Sequence, residues 1–313
     1  MTKVEDFYFM IKLNLIIGFL GVGKTSLIKK LIEQKPKEEK WAVLINEFGK
    51  VGIDGALLES NQNIQVKEII GGCVCCSAEL PLKIALNQLI RQYKPNRIIL
   101  EPTGLGHPGG IVDIIKRDFE GVMSLQAVLG LVDIASLSRE KVMNHEIFTD
   151  QVQLADILIG TKEDLHTASE TQKFLDWAKK LFPPKQAIKL AQDINLSDLN
   201  QNPEIIRKSN HSSGSFGLYE LGLIFDITKV FDGNKLYESL QTITGAERIK
   251  GVFNTNQGWV SYNRVNNQAT AFFPSSYRKD SRIEIISAYP KKEEKLKEML
   301  EQNLIQNDKK QNE

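Results

Sequence analysis

The feature that most constrains the fold is an eight-residue segment near the start of the chain, residues 18–25. It reads GFLGVGKT and matches the pattern G-x-x-x-x-G-K-[ST] at every fixed position. A strand-like run rich in apolar residues, 11–17, precedes it, and a helical pattern, residues 25–34, follows it. Glycines in such a turn let backbone N–H groups point at phosphate oxygens, and the start of the helix adds positive potential. The segment therefore predicts a phosphate-binding loop between a buried strand and a helix.

The side chains of this loop suggest which atoms would meet a nucleotide. We expect Lys24 to reach the β- and γ-phosphates and the Thr25 hydroxyl to coordinate Mg²⁺. The predicted nucleotide contacts of the loop are Gly18, Gly21, Val22, Gly23, Lys24, Thr25 and Ser26.

A second segment carries a base-reading pattern. The apolar run ILIG at residues 157–160 leads into Thr161, Lys162, Glu163 and Asp164. This is similar to the N-K-x-D element of GTPases, with Thr161 where Asn is usual. A carboxylate at Asp164 can accept hydrogen bonds from N1–H and the 2-amino group of guanine, a donor pair that adenine lacks. The pattern predicts guanine binding, with Thr161, Lys162 and Asp164 as base contacts and the Lys162 stem over one face of the base.

A third segment, RIILEPTG at residues 97–104, ends a strand of the buried type with an acid. In a phosphate-loop enzyme, Glu101 can hold a Mg²⁺-bound water or orient the attacking water. The Gly104 N–H can contact the γ-phosphate, so that the loop after it would sense hydrolysis. The predicted catalytic residues are therefore Lys24, Glu101 and Gly104.

The three cysteines of the chain all lie in one tetrapeptide, as Cys73, Cys75 and Cys76. A clustered set without a distant partner indicates metal or redox chemistry rather than a structural disulfide. Thiolates select soft or borderline metals such as Zn²⁺ or Cu(I). Because at most three sulfurs are available, the cluster cannot complete a four-ligand structural zinc site. An open site of this kind suits metal transfer better than permanent structure.

The pattern of apolar residues divides the 313-residue chain into two domains. Strand-like runs alternate with helical patterns over residues 1–200, which predicts an α/β domain of the P-loop NTPase type with a mostly parallel sheet. Residues 201–217 are polar and are interpreted as a linker. Closely spaced strand-like runs over residues 218–305 predict a smaller α+β domain with a mostly antiparallel sheet. The polar residues 306–313 are predicted to be a disordered tail.

Charge and hydropathy exclude several classes of protein. Forty Lys and Arg face thirty-nine Asp and Glu, a net charge of +1, and a nucleic-acid or membrane-surface binder would show a basic excess. No apolar stretch approaches the ~20 residues that span a bilayer. The first residues lack the pattern of a signal peptide. We therefore expect a cytoplasmic protein without nucleic-acid or membrane partners.

In their order along the chain, these motifs resemble those of the CobW-type GTPases, metal-handling proteins related to the urease and hydrogenase accessory GTPases. The glycine-cysteine element GCVCC is the most specific part of the resemblance. The matching segments are residues 18–25, 46–49, 52–54, 72–76, 101–104 and 161–164, and residues 247–251 and 280–282 in the second domain. The resemblance implies a Mg²⁺-dependent GTPase that binds Zn²⁺, or a similar ion such as Co²⁺ or Fe²⁺. It further implies delivery of that metal to a client metalloprotein or a cofactor-assembly protein.

The same resemblance implies roles for segments that the residues alone do not explain. The stretch at residues 46–54 behaves as a switch near the γ-phosphate in such proteins, and Glu47 is implied as a contact of the metal or of the Mg²⁺ shell. The predicted metal-binding residues are Cys73, Cys75, Cys76, Glu47 and, for Mg²⁺, Thr25. GTP would order the switches and tighten the cysteine site, and hydrolysis would release the metal. Assembly into a homo-oligomer stays open.

Two alternatives to a metal-delivering GTPase stay open at this point. An ATP-dependent P-loop kinase or ligase would use the same phosphate loop and would not need Asp164. A GTP-gated regulator or scaffold would bind partners through its second domain and use the cysteines as a redox sensor.

Overall fold

A computed structural model describes residues 10–45, 63–68, 79–102, 108–200, 219–266, 268 and 270–305. The chain divides into two compact units, Met1–Glu204 and Ile205–Glu313. The predicted linker at residues 201–217 and the predicted tail at residues 306–313 lie outside the described residues. Among the helices of the described part, none has the length and apolar character needed to cross a membrane.

The described part of the first unit contains an eight-stranded sheet. Its strands are β1 (Ile11–Gly18), β2 (Trp41–Ile45), β3 (Ile64–Glu68), β4 (Arg97–Glu101), β5 (Met123–Leu125), β6 (Leu129–Asp133), β7 (Ile157–Thr161) and β8 (Ala187–Leu190). The order is β3-β2-β4-β1-β6-β7-β8, with β5 paired to β1, and the described pairings are parallel. In a parallel sheet the carboxyl ends of the strands share one edge, so the segments after β1, β4, β6, β7 and β8 meet there.

Helices cover both faces of this sheet. They are α1 (Lys24–Glu33), α2 (Glu79–Gln88, extended by a π-helical turn, Leu89–Tyr93), α3 (Gly109–Asp118), α4 (Glu140–Met143), α5 (Glu146–Leu154), α6 (Ala168–Lys179) and α7 (Leu196–Leu199). Leu15 of β1 packs in a cluster with residues of α2 and α3, whereas its neighbour Ile16 packs with residues of α1. A strand buried on both sides needs apolar residues at successive positions, which explains the unbroken apolar runs of the sequence.

The region between α3 and α4 differs from the sequence prediction in one respect. The sequence predicts a single strand over residues 125–132, but the structure has two, β5 and β6. Both pair with β1, β5 along its first residues and β6 along its last. At the break between them, the Gln126 N–H donates to the Leu13 carbonyl at 2.8 Å. The prediction was wrong because only Gln126 interrupts the apolar residues at the break.

The described part of the second unit is a five-stranded antiparallel sheet with two helices. Its strands are β9 (Tyr219–Phe225), β10 (Ala246–Thr255), β11 (Gly258–Val265), β12 (Phe273–Pro274) and β13 (Ser281–Ser287), in the order β12-β11-β10-β13-β9. Helices α8 (Gly233–Gln241) and α9 (Glu293–Glu301) contribute Leu236 and Leu300 to a core with Leu223 and Phe253. The predicted fold class, a mostly parallel P-loop domain followed by a smaller α+β domain, is confirmed.

The second unit holds a buried ion pair in one of its predicted motifs. Asp280 is fully buried and Arg282 is 6% exposed. The Arg282 Nε–H donates to Asp280 Oδ1 at 2.6 Å, and the Tyr277 hydroxyl donates to the same oxygen at 3.2 Å. Burial raises the pKa of Tyr277, so its hydroxyl stays protonated as a donor. The segment at residues 280–282 therefore has a structural role, because each buried charge needs its partner.

Candidate nucleotide-binding site

The predicted phosphate loop connects β1 to α1 at the carboxyl edge of the sheet. Gly18 ends β1, and a Cβ on it would lie 2.7 Å from the Leu131 carbonyl oxygen, so only glycine fits this approach between strands. Gly23 immediately precedes α1 with φ of 100°, in the left-handed region that favours glycine. These two glycines fix the turn that precedes α1. The backbone N–H groups of the first helical turn are then the expected phosphate donors.

Three predicted side chains meet at the phosphate end of this loop. The buried Lys24 donates from Nζ to the Gly18 and Phe19 carbonyls at 3.2 and 3.4 Å. Its Nζ lies 3.9 Å from Glu101 Oε1. The Thr25 hydroxyl donates to the Glu101 carboxylate, with oxygen–oxygen distances of 3.4 and 3.5 Å. The structure thus gathers a cation, a hydroxyl and a buried carboxylate from α1 and β4.

A cavity of about 920 Å³ extends from the phosphate loop to the predicted base-reading segment. Residues of the phosphate loop and of α1 line one end, and residues that follow β7 and β8 line the other. The phosphate end includes Gly21, Val22, Gly23, Ser26 and Lys30, and the other end includes Thr161, Lys162, Glu163, Asp164, Leu190, Ala191 and Gln192. The two nucleotide motifs, more than 130 residues apart in sequence, therefore face one space.

Lys162 is held in the cavity wall by an acid that the sequence analysis did not identify. Its backbone is left-handed, with φ of 61°, and its Nζ donates to Asp133 Oδ2 at 2.9 Å. Asp133 also accepts the Ala135 N–H at 3.0 Å. Burial would raise the pKa of Asp133, but these two hydrogen bonds, together with the positive charges of Lys162 and Arg139, outweigh it and hold the pKa below its usual value. The signal that could have identified Asp133 was an acid at the end of β6. This strand lies between β1 and β7, which carry the two nucleotide motifs at their ends.

Thr161 lines the cavity, but its hydroxyl is engaged with the sheet. The residue is buried, and Oγ1 donates to the Val132 carbonyl of β6 at 3.3 Å. A contact from this hydroxyl to a base stays a prediction. In the structure Thr161 fixes the end of β7 against β6, which positions Lys162 and Asp164 beyond it.

The sequence analysis also missed a wall of the cavity. A short turn, Ala191–Asp193, follows β8 and contributes Ala191 and Gln192 to the lining. Lys30 donates to both carbonyls of this pair, and Glu163 Oε1 accepts the Gln192 N–H at 2.9 Å. The strand before the turn is only four residues long. Its place as the next strand after α6 in the alternating pattern was the only signal for it.

The other predicted site residues, Glu47, Cys73, Cys75, Cys76 and Gly104, lie outside the described residues. Within the described part of the chain, no group of three or more His, Cys, Asp or Glu side chains could hold a metal ion. The predicted metal ligands therefore stay a prediction from sequence.

Comparison with known proteins places these motifs in a family. The family described as "CobW/HypB/UreG, nucleotide-binding domain" matches residues 12–189. The zinc chaperone YeiR of Escherichia coli (strain K12) is 37% identical over 309 residues, covering 89% of this chain and 94% of the relative. The zinc chaperone YjiA of the same strain is 32% identical over 174 residues, which is 52% of each chain.

A solved structure extends the likeness in fold to both units. The Zn(II)-bound YjiA GTPase from E. coli matches 94% of this chain and 99% of its own length, with a TM-score of 0.50 at 20% identity. At this identity the match shows the fold alone. The family match over most of the first unit and the nearly full-length relative at 37% identity show that this chain belongs to the CobW/HypB/UreG family.

Proposed function

We propose that the chain is a Mg²⁺-dependent GTPase that binds Zn²⁺ at Cys73, Cys75 and Cys76 and passes it to a client metalloprotein. The observation that carries the nucleotide part is the single cavity between the phosphate loop and residues 161–164. Two relatives, YeiR and YjiA, are named zinc chaperones, which supports the metal part.

The phosphate end of the cavity is suited to a triphosphate. The Lys24 ammonium is buried beside two carbonyls and the Glu101 carboxylate. Phosphate oxygens would offer it stronger, charged acceptors in the same place. The loop N–H groups and the start of α1 would add the remaining donors. Lys24 would then stabilise negative charge on the β- and γ-phosphates as the terminal bond breaks.

The oxygens near Lys24 fit a magnesium ion. Mg²⁺ prefers hard oxygen ligands, and the Thr25 hydroxyl and the Glu101 carboxylate lie within hydrogen-bonding distance of each other beside Lys24. Thr25 would hold the ion directly, and Glu101 would hold one of its waters or orient the attacking water. Bound Mg²⁺ would neutralise charge on the β- and γ-phosphates.

The base end of the cavity favours guanine. Asp164 lines it and offers two carboxylate oxygens to N1–H and the 2-amino group of the base. The Lys162 stem lies in the adjacent wall because its ammonium is held by Asp133. An ATP-dependent kinase or ligase would have no use for this carboxylate.

One link between the proposed metal and nucleotide segments lies on the described surface. Helix α2 begins at Glu79, three residues after Cys76, and α3 begins after the segment that contains Gly104. Lys83 of α2 lies 2.7 Å from Asp118 of α3, and Arg117 pairs with Glu79. Exposed ion pairs contribute little energy individually, so these contacts show only that the two helices are adjacent. That adjacency is compatible with the proposal that a change near the γ-phosphate is passed to the cysteine turn.

Nucleotide preference is the property that tests the proposal first. We expect wild-type protein to bind GDP at least about tenfold more tightly than ADP, because only guanine offers Asp164 two donors. Asp164→Asn should weaken GDP binding by roughly 10- to 100-fold. The same variant should improve binding of xanthosine diphosphate, whose 2-carbonyl can accept from the new amide.

Competition against a fluorescent GDP analogue measures all three affinities. Asp113→Asn, on α3 and outside the cavity lining, is the matched control and should leave them unchanged. Equal binding of GDP and ADP by the wild-type protein, or an unchanged preference in Asp164→Asn, would reject a guanine site and favour an ATP-dependent enzyme.

A further inference from the structure

We propose that Lys30 determines nucleotide specificity, favouring guanine over adenine by occupying two backbone carbonyls in the cavity wall. The inference rests on the proposed function, since it concerns the same nucleotide site. It assigns a role to a helix residue that no sequence motif includes.

Lys30 joins the phosphate-binding helix to the wall made by the turn after β8. It lies on α1, six residues after Lys24, and its side chain lines the cavity. Its Nζ donates to the Ala191 carbonyl at 2.8 Å and to the Gln192 carbonyl at 2.7 Å. One ammonium group therefore engages two successive carbonyls of the wall.

The two purines differ in what they would present to such a wall. At C6, the ring carbon next to N1, guanine carries a carbonyl group, which is an acceptor. Adenine carries an amino group there, which is a donor. Backbone carbonyls that face a base favour a donor, and therefore adenine. An ammonium group bound to the same carbonyls competes for their lone pairs and leaves positive charge at the wall. That charge favours the guanine carbonyl and disfavours the adenine amino group.

A second contact holds this wall next to the segment that contains Asp164. Glu163, the residue before Asp164, accepts the Gln192 N–H on its Oε1 at 2.9 Å. The turn is thus bound from one side by α1 and from the other by the base-reading segment. A base whose N1 edge meets Asp164 would have its neighbouring six-position near this wall, which is where Lys30 acts.

The test compares two nucleotides that share their ribose and phosphates. Lys30→Met keeps most of the length of the side chain and removes its charge and donors, and Lys30→Arg restores a cation with several donors. Lys29→Met removes a charge from the neighbouring position of α1, which does not line the cavity. Dissociation constants for GDP and ADP are measured for each purified full-length protein by competition with a fluorescent GDP analogue.

We expect the ratio of the ADP to the GDP dissociation constant to fall about tenfold in Lys30→Met, the size of one hydrogen bond to a charged group. Lys30→Arg should recover the ratio to within about threefold, and Lys29→Met should keep the wild-type ratio. A role in folding alone would weaken both nucleotides equally and leave the ratio unchanged. Should Lys30→Met fail to fold, Lys30→Gln, which is uncharged and keeps an amide donor, provides the same comparison.

The outcomes separate this inference from the proposed function. A wild-type protein that prefers GDP, combined with an unchanged ratio in the uncharged variants, would overturn the role of Lys30 alone. A wild-type protein without a preference for GDP would overturn the guanine site itself, and the inference with it.

Discussion

Lys24, Thr25 and Glu101 contribute three different chemical groups at the phosphate loop. Lys24 supplies a buried positive charge, Thr25 a hydroxyl and Glu101 a carboxylate that reaches both. In the proposed reaction Lys24 contacts the nucleotide phosphates and Thr25 holds the Mg²⁺ ion, whereas Glu101 acts on water or on the Mg²⁺ shell. Their roles predict different kinetic effects when each is changed.

Glu101→Gln is the variant that isolates the reaction step. The amide keeps the size of the side chain and a hydrogen bond to Thr25, but it loses the charge that orients water. We expect single-turnover GTP hydrolysis to slow about 100-fold, while the dissociation constant for GDP stays within about threefold of wild type. Glu120→Gln, on the exposed turn after α3, is the control. An unchanged hydrolysis rate would leave Glu101 with only a structural role.

Sequence reasoning succeeded at residues whose function depends on local order. Lys24 and Thr25 are identified by a loop in which every functional group lies within eight residues. The roles of Asp133 and Lys30 were not predicted, because their partners are distant in sequence. Asp133 binds Lys162, 29 residues away, and Lys30 binds Ala191, 161 residues away. Only the strand order of the sheet brings such pairs together, and no periodic pattern in the sequence records it.

Elements were predicted well where their ends carry a chemical signal. Thr167 and Glu170 have the sequence spacing of a capping box, and the structure has one at the start of α6, where each side chain bonds the backbone of the other. The break between β5 and β6 had no such signal, because only Gln126 interrupts the apolar residues there. Short strand β8 also lacked a chemical signal at its ends, so neither the strand nor the cavity wall after it was predicted.

Gly160→Ala tests how closely α6 is packed behind the base-reading segment. A Cβ at this position of β7 would lie 2.7 and 2.9 Å from ring atoms of Phe174 on α6. We expect the free energy of unfolding to fall by about 1–3 kcal/mol through overpacking. GDP affinity should fall as well, because the shift displaces residues 161–164. Urea denaturation and nucleotide competition measure the two effects.

The matched control for this substitution is Gly110→Ala in α3. A Cβ there would meet no atom within 4 Å, and alanine favours a helix over glycine by up to about 1 kcal/mol. Its stability should be equal to or above that of wild type. If Gly160→Ala unfolds at the same urea concentration as this control, the close contact with Phe174 is not a constraint on the fold.

For the whole molecule, the order of motifs along the chain indicated the family, which composition alone did not. Composition indicates an ordinary soluble chain, whereas the sequence from phosphate loop to cysteine turn to base-reading segment indicated the family. The division into a mostly parallel sheet and a smaller antiparallel one followed from the change in strand spacing near residue 218. The buried Asp280–Arg282 pair could not be inferred in this way, because burial of a charged pair depends on packing across strands.

The whole-molecule claim is that nucleotide state controls metal affinity, through segments on either side of the described helices α2 and α3. Such coupling is reciprocal, so the metal should tighten binding of the triphosphate by the factor by which the triphosphate tightens binding of the metal. A metal that binds both nucleotide states equally would shift nothing, however tightly it is bound.

The most direct measurement is the affinity for Zn²⁺ under anaerobic conditions, by competition with a chromophoric chelator. The protein is loaded with Mg²⁺ and either a non-hydrolysable GTP analogue or GDP, and Cys75→Ser serves as the control that should lose tight binding in both states. We predict a Zn²⁺ affinity about 100-fold higher with the GTP analogue, a coupling free energy of about 2.7 kcal/mol. Equal affinities in the two nucleotide states would contradict nucleotide-gated metal delivery.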